Sequence, residues 1–216
     1  MMIFDFAHFP LCRRFLMALA LFMPTPFSFG EDTPDSQPLI NDIVTAIGGP
    51  EKLLRNFRMK EQYHSGSEPT LPEGKSPGRR ESFVESPGYW WLSKKDRTDE
   101  PAKFALWAWT LVPLLDAKSK ITVVPDVIDN EKAVIGLRIS ETITPPLELY
   151  FDKTTKLLVR IDWRSDIYRF SEWKEHDGVK YPAKSILFKK STGKPWFYHE
   201  ITELERLKAV PADLPR

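Results

Sequence analysis

The sequence predicts an α+β protein built on a strongly curved antiparallel sheet of about nine or ten strands. Three observations carry this expectation. After residue 118 the apolar runs are short, rich in β-branched and aromatic residues, and bounded by turn residues. The links Asp129-Asn130-Glu131, Asp152-Lys-Thr-Thr155 and Asp177-Gly178 are tight enough to join consecutive strands as hairpins. Helical periodicity is confined to two segments ahead of that region.

The chain begins with a different kind of segment. Arg13 and Arg14 precede the apolar run Phe15–Met23, Pro24 and Pro26 end it, and Ser28-Phe29-Gly30 supplies small residues for a peptidase. A charged start, a short apolar middle and a small-residue exit describe a secretory signal peptide over residues 1–30, cleaved near Gly30. The nine apolar residues are too few for a membrane span, which needs about 20. The Arg13-Arg14 pair is also similar to a twin-arginine signal, with imperfect spacing to the following Phe and Leu. Residues 31–37 are polar and read as a flexible tail, and residues 38–216 as a single domain.

The formal charge of the 216 residues is +1. Residues 1–30 hold two of the 31 basic groups and one of the 30 acidic groups, which leaves 29 of each. Zero net charge and export both disfavour nucleic acid as a partner. Cys12, the single cysteine, lies in the leader, so the exported chain has no disulfide and no cysteine metal site. It also precedes the apolar run and is therefore not a lipoprotein acylation site. These features together point to the periplasm and the cell envelope, with no integral membrane segment after the leader.

Leu39, Ile40, Ile43, Val44 and Ile47 recur at helical spacing. Gly48-Gly49 interrupts the pattern and Pro50 restarts it, so residues 38–56 read as a broken amphipathic helix. Phe57–Ser65 reads as a strand. Residues 66–80 carry three Gly and three Pro with almost no apolar residue, and a loop of that length is functional or disordered. Strands follow at Glu81–Glu85 and Tyr89–Lys94. Asp99 and Pro101 suit the start of a helix. From Phe104 to Leu115 every residue is apolar except Thr110, and none is charged. A helix apolar on all sides must be covered on all sides, and Pro113 kinks or ends it. The remaining strands are expected at 120–125, 133–140, 147–151, 157–164, 167–174, 179–189 and 196–204.

No motif in the chain signals catalysis. His64, His176 and His199 lack metal-ligand spacing, and there is neither a Gly-x-Ser-x-Gly elbow nor a glycine-rich phosphate loop. No cofactor and no metal are expected. Asp162, Asp166, Glu172 and Glu175 form an acidic series that could serve glycoside hydrolysis. Arg160, Arg164, Arg169 and Lys174 are interleaved with them, which a solvated sheet face with cross-strand charge pairs explains without chemistry. All seven Trp lie after the leader; such residues fill cores and also offer stacking surfaces to ligands.

The helix with a Gly-Gly break, the strand beginning Phe57-Arg-Met-Lys60, the segment Leu149-Tyr-Phe-Asp152-Lys-x-Thr-x-Leu-Leu158 and the hairpin Trp173-Lys-Glu-His-Asp-Gly-Val-Lys-Tyr-Pro182 carry a resemblance. Together they resemble the bacterial outer-membrane lipoprotein carrier superfamily (LolA/LolB-like) over most of residues 38–210. The resemblance implies an incomplete β-barrel, or half-barrel, with helices on its concave face and acyl chains bound between the two. It implies a periplasmic, non-catalytic protein that carries or binds lipid-like ligands, namely lipid or lipoprotein acyl chains. A charge-free helix at 104–115 is what a plug against a concave sheet requires, so Phe104, Trp107, Trp109, Leu111 and Leu115 are the candidate ligand contacts. Two other classes compete. One is a sensory or interaction module with a protein partner in the envelope, and the other is a carbohydrate-active enzyme using the acidic series.

Overall fold

The computed structural model describes residues 35–93, 97–98 and 102–216. The leader expected over residues 1–30 and the cap expected at Asp99 and Pro101 lie outside them. All described residues fall in one compact unit.

Helix α1 runs Gln37–Ala46, with Ser36 as its N-cap and Pro38 in its first turn. Its apolar stripe Ile40, Ile43 and Val44 is buried. The helix ends where Gly48 and Gly49 take positive φ of 124° and 94°, and a short 3-10 turn follows at Pro50–Lys52. Gly48 is required there by a close approach as well as by its dihedral angle. A Cβ on it would stand 2.1 Å from the carbonyl oxygen of Gly178, in the hairpin turn against which the helix end is docked. The N–H of Lys180 donates to the carbonyl of Ile47 across the same junction, at 2.8 Å.

The sheet has eleven strands: β1 (Asn56–Ser65), β2 (Gly78–Glu85), β3 (Tyr89–Trp91), β4 (Arg97–Thr98), β5 (Lys120–Asp129), β6 (Lys132–Ser140), β7 (Leu147–Asp152), β8 (Leu158–Trp163), β9 (Asp166–His176), β10 (Val179–Lys189) and β11 (Pro195–Arg206). Ten of them correspond to the runs expected from sequence. The eleventh, β4, has two residues, too few to leave a periodic signature. The order is β4-β3-β2-β1-β11-β10-β9-β8-β7-β6-β5, antiparallel throughout, and no ladder joins β4 to β5. The sheet is therefore open. Asp177 and Gly178 both take positive φ, as do Asn130 and Glu131. That is the mirror-image turn a two-residue hairpin needs to match strand twist.

The 104–115 segment is not one helix. Helix α2 spans Ala102–Trp109, Leu111 takes φ 61°, and a 3-10 turn covers Val112–Leu115 with Pro113 inside it. The break falls two residues ahead of the proline, which has no N–H to continue an α-helix.

Register assigns the faces. Phe57, Met59, Glu61 and Tyr63 alternate along β1 and pair with Val84, Ser82, Arg80 and Gly78 of β2. On β11 their neighbours are Ile201 and His199, which lead on to Ser185 and Leu187 of β10 and to Phe170 and Tyr168 of β9. Ile161, Leu149 and Leu137 continue this face toward β6. Side chains of α1 and α2, among them Ile40, Ile43, Val44, Leu106, Ala108 and Trp109, join it in one large apolar cluster. A second, smaller core lies on the opposite face, where Leu214 of the C-terminal segment packs on Phe83 and Trp91. There the indole N–H of Trp91 donates to the carbonyl of Pro215 at 2.7 Å.

Candidate functional site

Between α2 and this face of the sheet lies a cavity of about 260 Å³. Ala105, Leu106 and Trp109 of α2 form one wall, Tyr168, Phe170, Leu187 and Phe197 of the sheet form the other, and Trp90 and Leu92 close a side. The walls are predominantly apolar, which is the composition of small-molecule pockets in general.

At its β1–β2–β11 side the cavity meets a buried charged cluster. Glu61 occupies an inward position in β1, and its side chain is 0 % exposed. Arg80 forms a two-pronged pair with it, Nε to Oε2 and Nη2 to Oε1, each at 3.0 Å. Ser82 Oγ donates to Oε2 at 2.5 Å. His199 Nε2 donates to Oε1 at 2.6 Å. Since a carboxylate only accepts, the His199 proton sits on Nε2. Its other ring nitrogen, Nδ1, faces Ser185 Oγ at 3.4 Å. Burial by itself pushes the Glu61 carboxyl up, but the hydrogen bonds and charges of His199 and Arg80 outweigh it and hold the group at about 2. The Arg80 guanidinium also lies over the rings of Tyr63 and Trp90, 4.9 and 5.3 Å from their centroids. On β9, burial raises the Tyr168 phenol to about 12, so it stays protonated at neutral pH.

The sequence candidates sit as follows. Trp109 lines the cavity. Phe104 and Trp107 pack edge to face with each other, and Phe104 also packs on Trp163. Leu111 is fully buried in the core, whereas Leu115 is 37 % exposed. The structure thus brings Trp109 to the cavity lining and leaves Phe104, Trp107, Leu111 and Leu115 out of it.

The residues that sequence reasoning missed are Glu61, Arg80, Ser82 and His199. Their signal was present. Glu61 follows Phe57 and Met59 at the inward spacing of two, and Arg80 and Ser82 precede Val84 in the same way. Polar residues at core positions of two adjacent strands point to mutual satisfaction.

The acidic series does not converge on any site. Asp162 is held by Arg160, whose Nε and Nη2 lie 2.5 and 2.6 Å from its oxygens. Asp166 accepts from Lys189 Nζ at 2.7 Å and Glu172 from Lys184 Nζ at 2.6 Å. Only part of this arrangement is a solvated face. Asp129 is buried where it accepts from Arg160 and from Arg169, at 2.8 and 2.5 Å, on the side of the sheet away from α2. Among the described residues no group of three or more His, Cys, Asp or Glu could hold a metal ion. No helix among them is long and apolar enough to cross a membrane.

A larger recess, about 600 Å³, lies beside the loop after β1 and is lined by Gln62, His64, Leu71, Lys184, Tyr198 and Glu200 among others. Several of its polar groups are engaged with one another or with that loop. Gln62 donates to Glu200 at 2.7 Å, and Tyr198 Oη donates to the carbonyl of Ser67 at 3.0 Å. Volume favours this recess, but buried apolar area is what holds a ligand. The cavity under α2 is therefore the better candidate.

No protein-family model and no curated protein match the chain. Among solved structures it is similar to a LolA superfamily protein from Nitrosomonas europaea, with a TM-score of 0.47 and 7 % identity over 83 % of this chain and 97 % of that one. It is also similar to a putative outer membrane lipoprotein-sorting protein domain from Vibrio parahaemolyticus, with a TM-score of 0.43 and 9 % identity over 73 % and 88 % of the two chains. A third is a DUF1329 family protein from Desulfovibrio piger, with a TM-score of 0.45 and 9 % identity over 81 % and 94 %.

Proposed function

We propose that this protein binds lipid-like apolar ligands, acyl chains of a lipid or a lipoprotein, as a non-catalytic carrier or binding protein of the periplasm. The ligand would lie between α2 and the concave face of the half-barrel. The observation that carries the reading is the apolar cavity under α2, walled by Leu106, Trp109, Phe170 and Leu187. Its walls are predominantly apolar, so burial of an acyl chain against them would supply the affinity.

The test is native mass spectrometry of the protein purified from the periplasm, followed by titration of the delipidated protein with dodecanoic acid. Saturable binding with a negative heat-capacity change is expected. Ala105→Phe, which places a ring in the cavity, should abolish it while leaving cooperative unfolding intact. Undiminished binding by that variant would remove the cavity from the reading.

A second reading, a partner-binding module of the envelope, is favoured by β5. This ten-residue edge strand carries Ile128 at 71 % exposure. An extended peptide could add to that edge through main-chain hydrogen bonds. Substituting Val123 or Ile128 with Pro would then abolish partner capture without touching lipid binding.

A further inference from the structure

We infer that the site under α2 takes a single long acyl chain, as in a free fatty acid or a lysophospholipid, and excludes lipids whose two or three chains must be buried together. The inference rests on the binding reading above and narrows its ligand class.

The two helices cover this face of the sheet differently. Under α1 the interior is filled. Ile43 of α1, Phe57 and Met59 of β1, and Leu137, Leu149 and Ile161 of β6, β7 and β8 are each 1 % exposed or less, and none of them lines the cavity. Among the described residues the lining comes from α2, from β9, β10 and β11, and from the β1–β3 side. Space for a ligand is therefore confined to part of the face.

Two contacts set its limits. Trp109, on the cavity wall, packs on Phe57 with ring centroids 5.7 Å apart, and Phe57 is fully buried. The room behind Trp109 is thus occupied by core side chains. On the β1–β2 side the lining includes Glu61 and Arg80, joined by two hydrogen bonds of 3.0 Å. An acyl chain pushed through that pair would separate buried opposite charges, which is costly.

Volume then sets the number of chains. A methylene fills about as much space as a water molecule, whose share of the liquid is about 30 Å³. On that scale a palmitoyl chain needs about 480 Å³, two need about 960 Å³ and three need about 1,440 Å³. The cavity offers about 260 Å³, and about 870 Å³ when the open space at its mouth is counted. One chain falls between these limits, with its inner part enclosed and the rest in the mouth. Two chains exceed the larger limit, and three exceed it by more than half. A second chain would stay in water, where each exposed methylene lowers affinity about 4-fold.

The experiment uses the delipidated protein and palmitoyl probes delivered from cyclodextrin. In native mass spectrometry, palmitic acid should saturate at one molecule per protein. Isotope-labelled palmitic acid is then displaced by monopalmitoyl phosphatidylcholine, by dipalmitoyl phosphatidylcholine and by a tripalmitoyl-cysteinyl peptide. The first two share a head group, so their difference reports the second chain alone. Both multi-chain lipids should compete at least about 10-fold more weakly than the monopalmitoyl lipid, the effect of two exposed methylenes. Two or more palmitic acids per protein, or a multi-chain lipid that competes more strongly than this, would overturn the one-chain inference and leave chain binding standing. Absence of binding by every probe would overturn the binding reading itself.

Discussion

Replacing Glu61 by Leu should be among the most damaging single changes in the chain, and replacing Arg80 at the same time should undo much of the damage. Glu61 is fully buried and accepts four hydrogen bonds, two of them from Arg80, whose own side chain is 21 % exposed. Removing one partner of a buried pair costs about 3–5 kcal/mol, because the other charge is left without compensation. Domain stabilities are about 5–15 kcal/mol, so this is a large fraction of the whole. Glu61→Leu with Arg80→Met removes both charges and restores apolar contact, and such double replacements are often close to neutral. Ser82 and His199 lose their acceptor in either variant, so recovery should be partial. Urea unfolding at pH 7 of the parent, both single variants and the double variant closes the cycle, with coupling of about 2–3 kcal/mol expected.

The same carboxylate governs acid stability. Its ordinary value of 4.5 is depressed to about 2 in the fold. A group with a depressed folded pKa contributes stability that is fully present above the unfolded value and lost as pH falls toward the folded one. At about 1.4 kcal/mol per pH unit, Glu61 contributes about 3 kcal/mol that disappears between pH 4.5 and 2. Asp129, Glu148 and Asp152 are depressed as well, so total acid sensitivity is larger. The difference between parent and Glu61→Gln across pH 5 to 2.5 isolates the share of Glu61, and the two stability curves should converge as pH falls. Additive single variants together with parallel acid profiles would refute a charge-coupled cluster at this position.

Other expectations follow from particular contacts. Gly48→Ala should destabilise by several kcal/mol in thermal or urea unfolding, since its Cβ would stand 2.1 Å from a backbone oxygen at a φ of 124°; a loss under about 1 kcal/mol would mean that the helix end is not docked as described. Leu214→Ala should cost about 2–3 kcal/mol and change the fluorescence of Trp91, because the C-terminal segment covers that ring; unchanged emission would detach the segment from the second core. Trp107→Asp buries an unpaired charge and should lower stability by several kcal/mol; an unchanged Tm would place Trp107 at the surface. Asp162→Asn and Glu172→Gln should leave ester and glycoside assays at background, as in the parent; turnover in the parent that either substitution abolished would move the protein to the enzymes.

Much of the architecture was legible in the sequence because it is written in local periodicity. The hairpin at Asp177-Gly178 could be read from two residues that tolerate positive φ. Ten strands could be read from alternation and turn residues, and the Gly48-Gly49 break from the missing Cβ. The two-residue β4 could not, since it has no period. The apolar segment 104–115 was read as one helix and a ligand wall, but only its α2 part keeps helical geometry. Composition told that the segment must be covered, not which of its sides meets a cavity.

The site itself was decided by tertiary structure. The sequence alone determined a run of antiparallel hairpins preceded by two apolar helical segments, with the single cysteine at position 12. Which charged residues would be buried was left to register. Glu61, Arg80 and His199 are separated by 19 and 119 positions along the chain, and the ladders β2-β1-β11 set them side by side facing the core. A one-residue slip in either ladder would turn these side chains to the other face of the sheet. Their meeting therefore depends on the pairing of whole strands, a long-range property that local pattern does not contain.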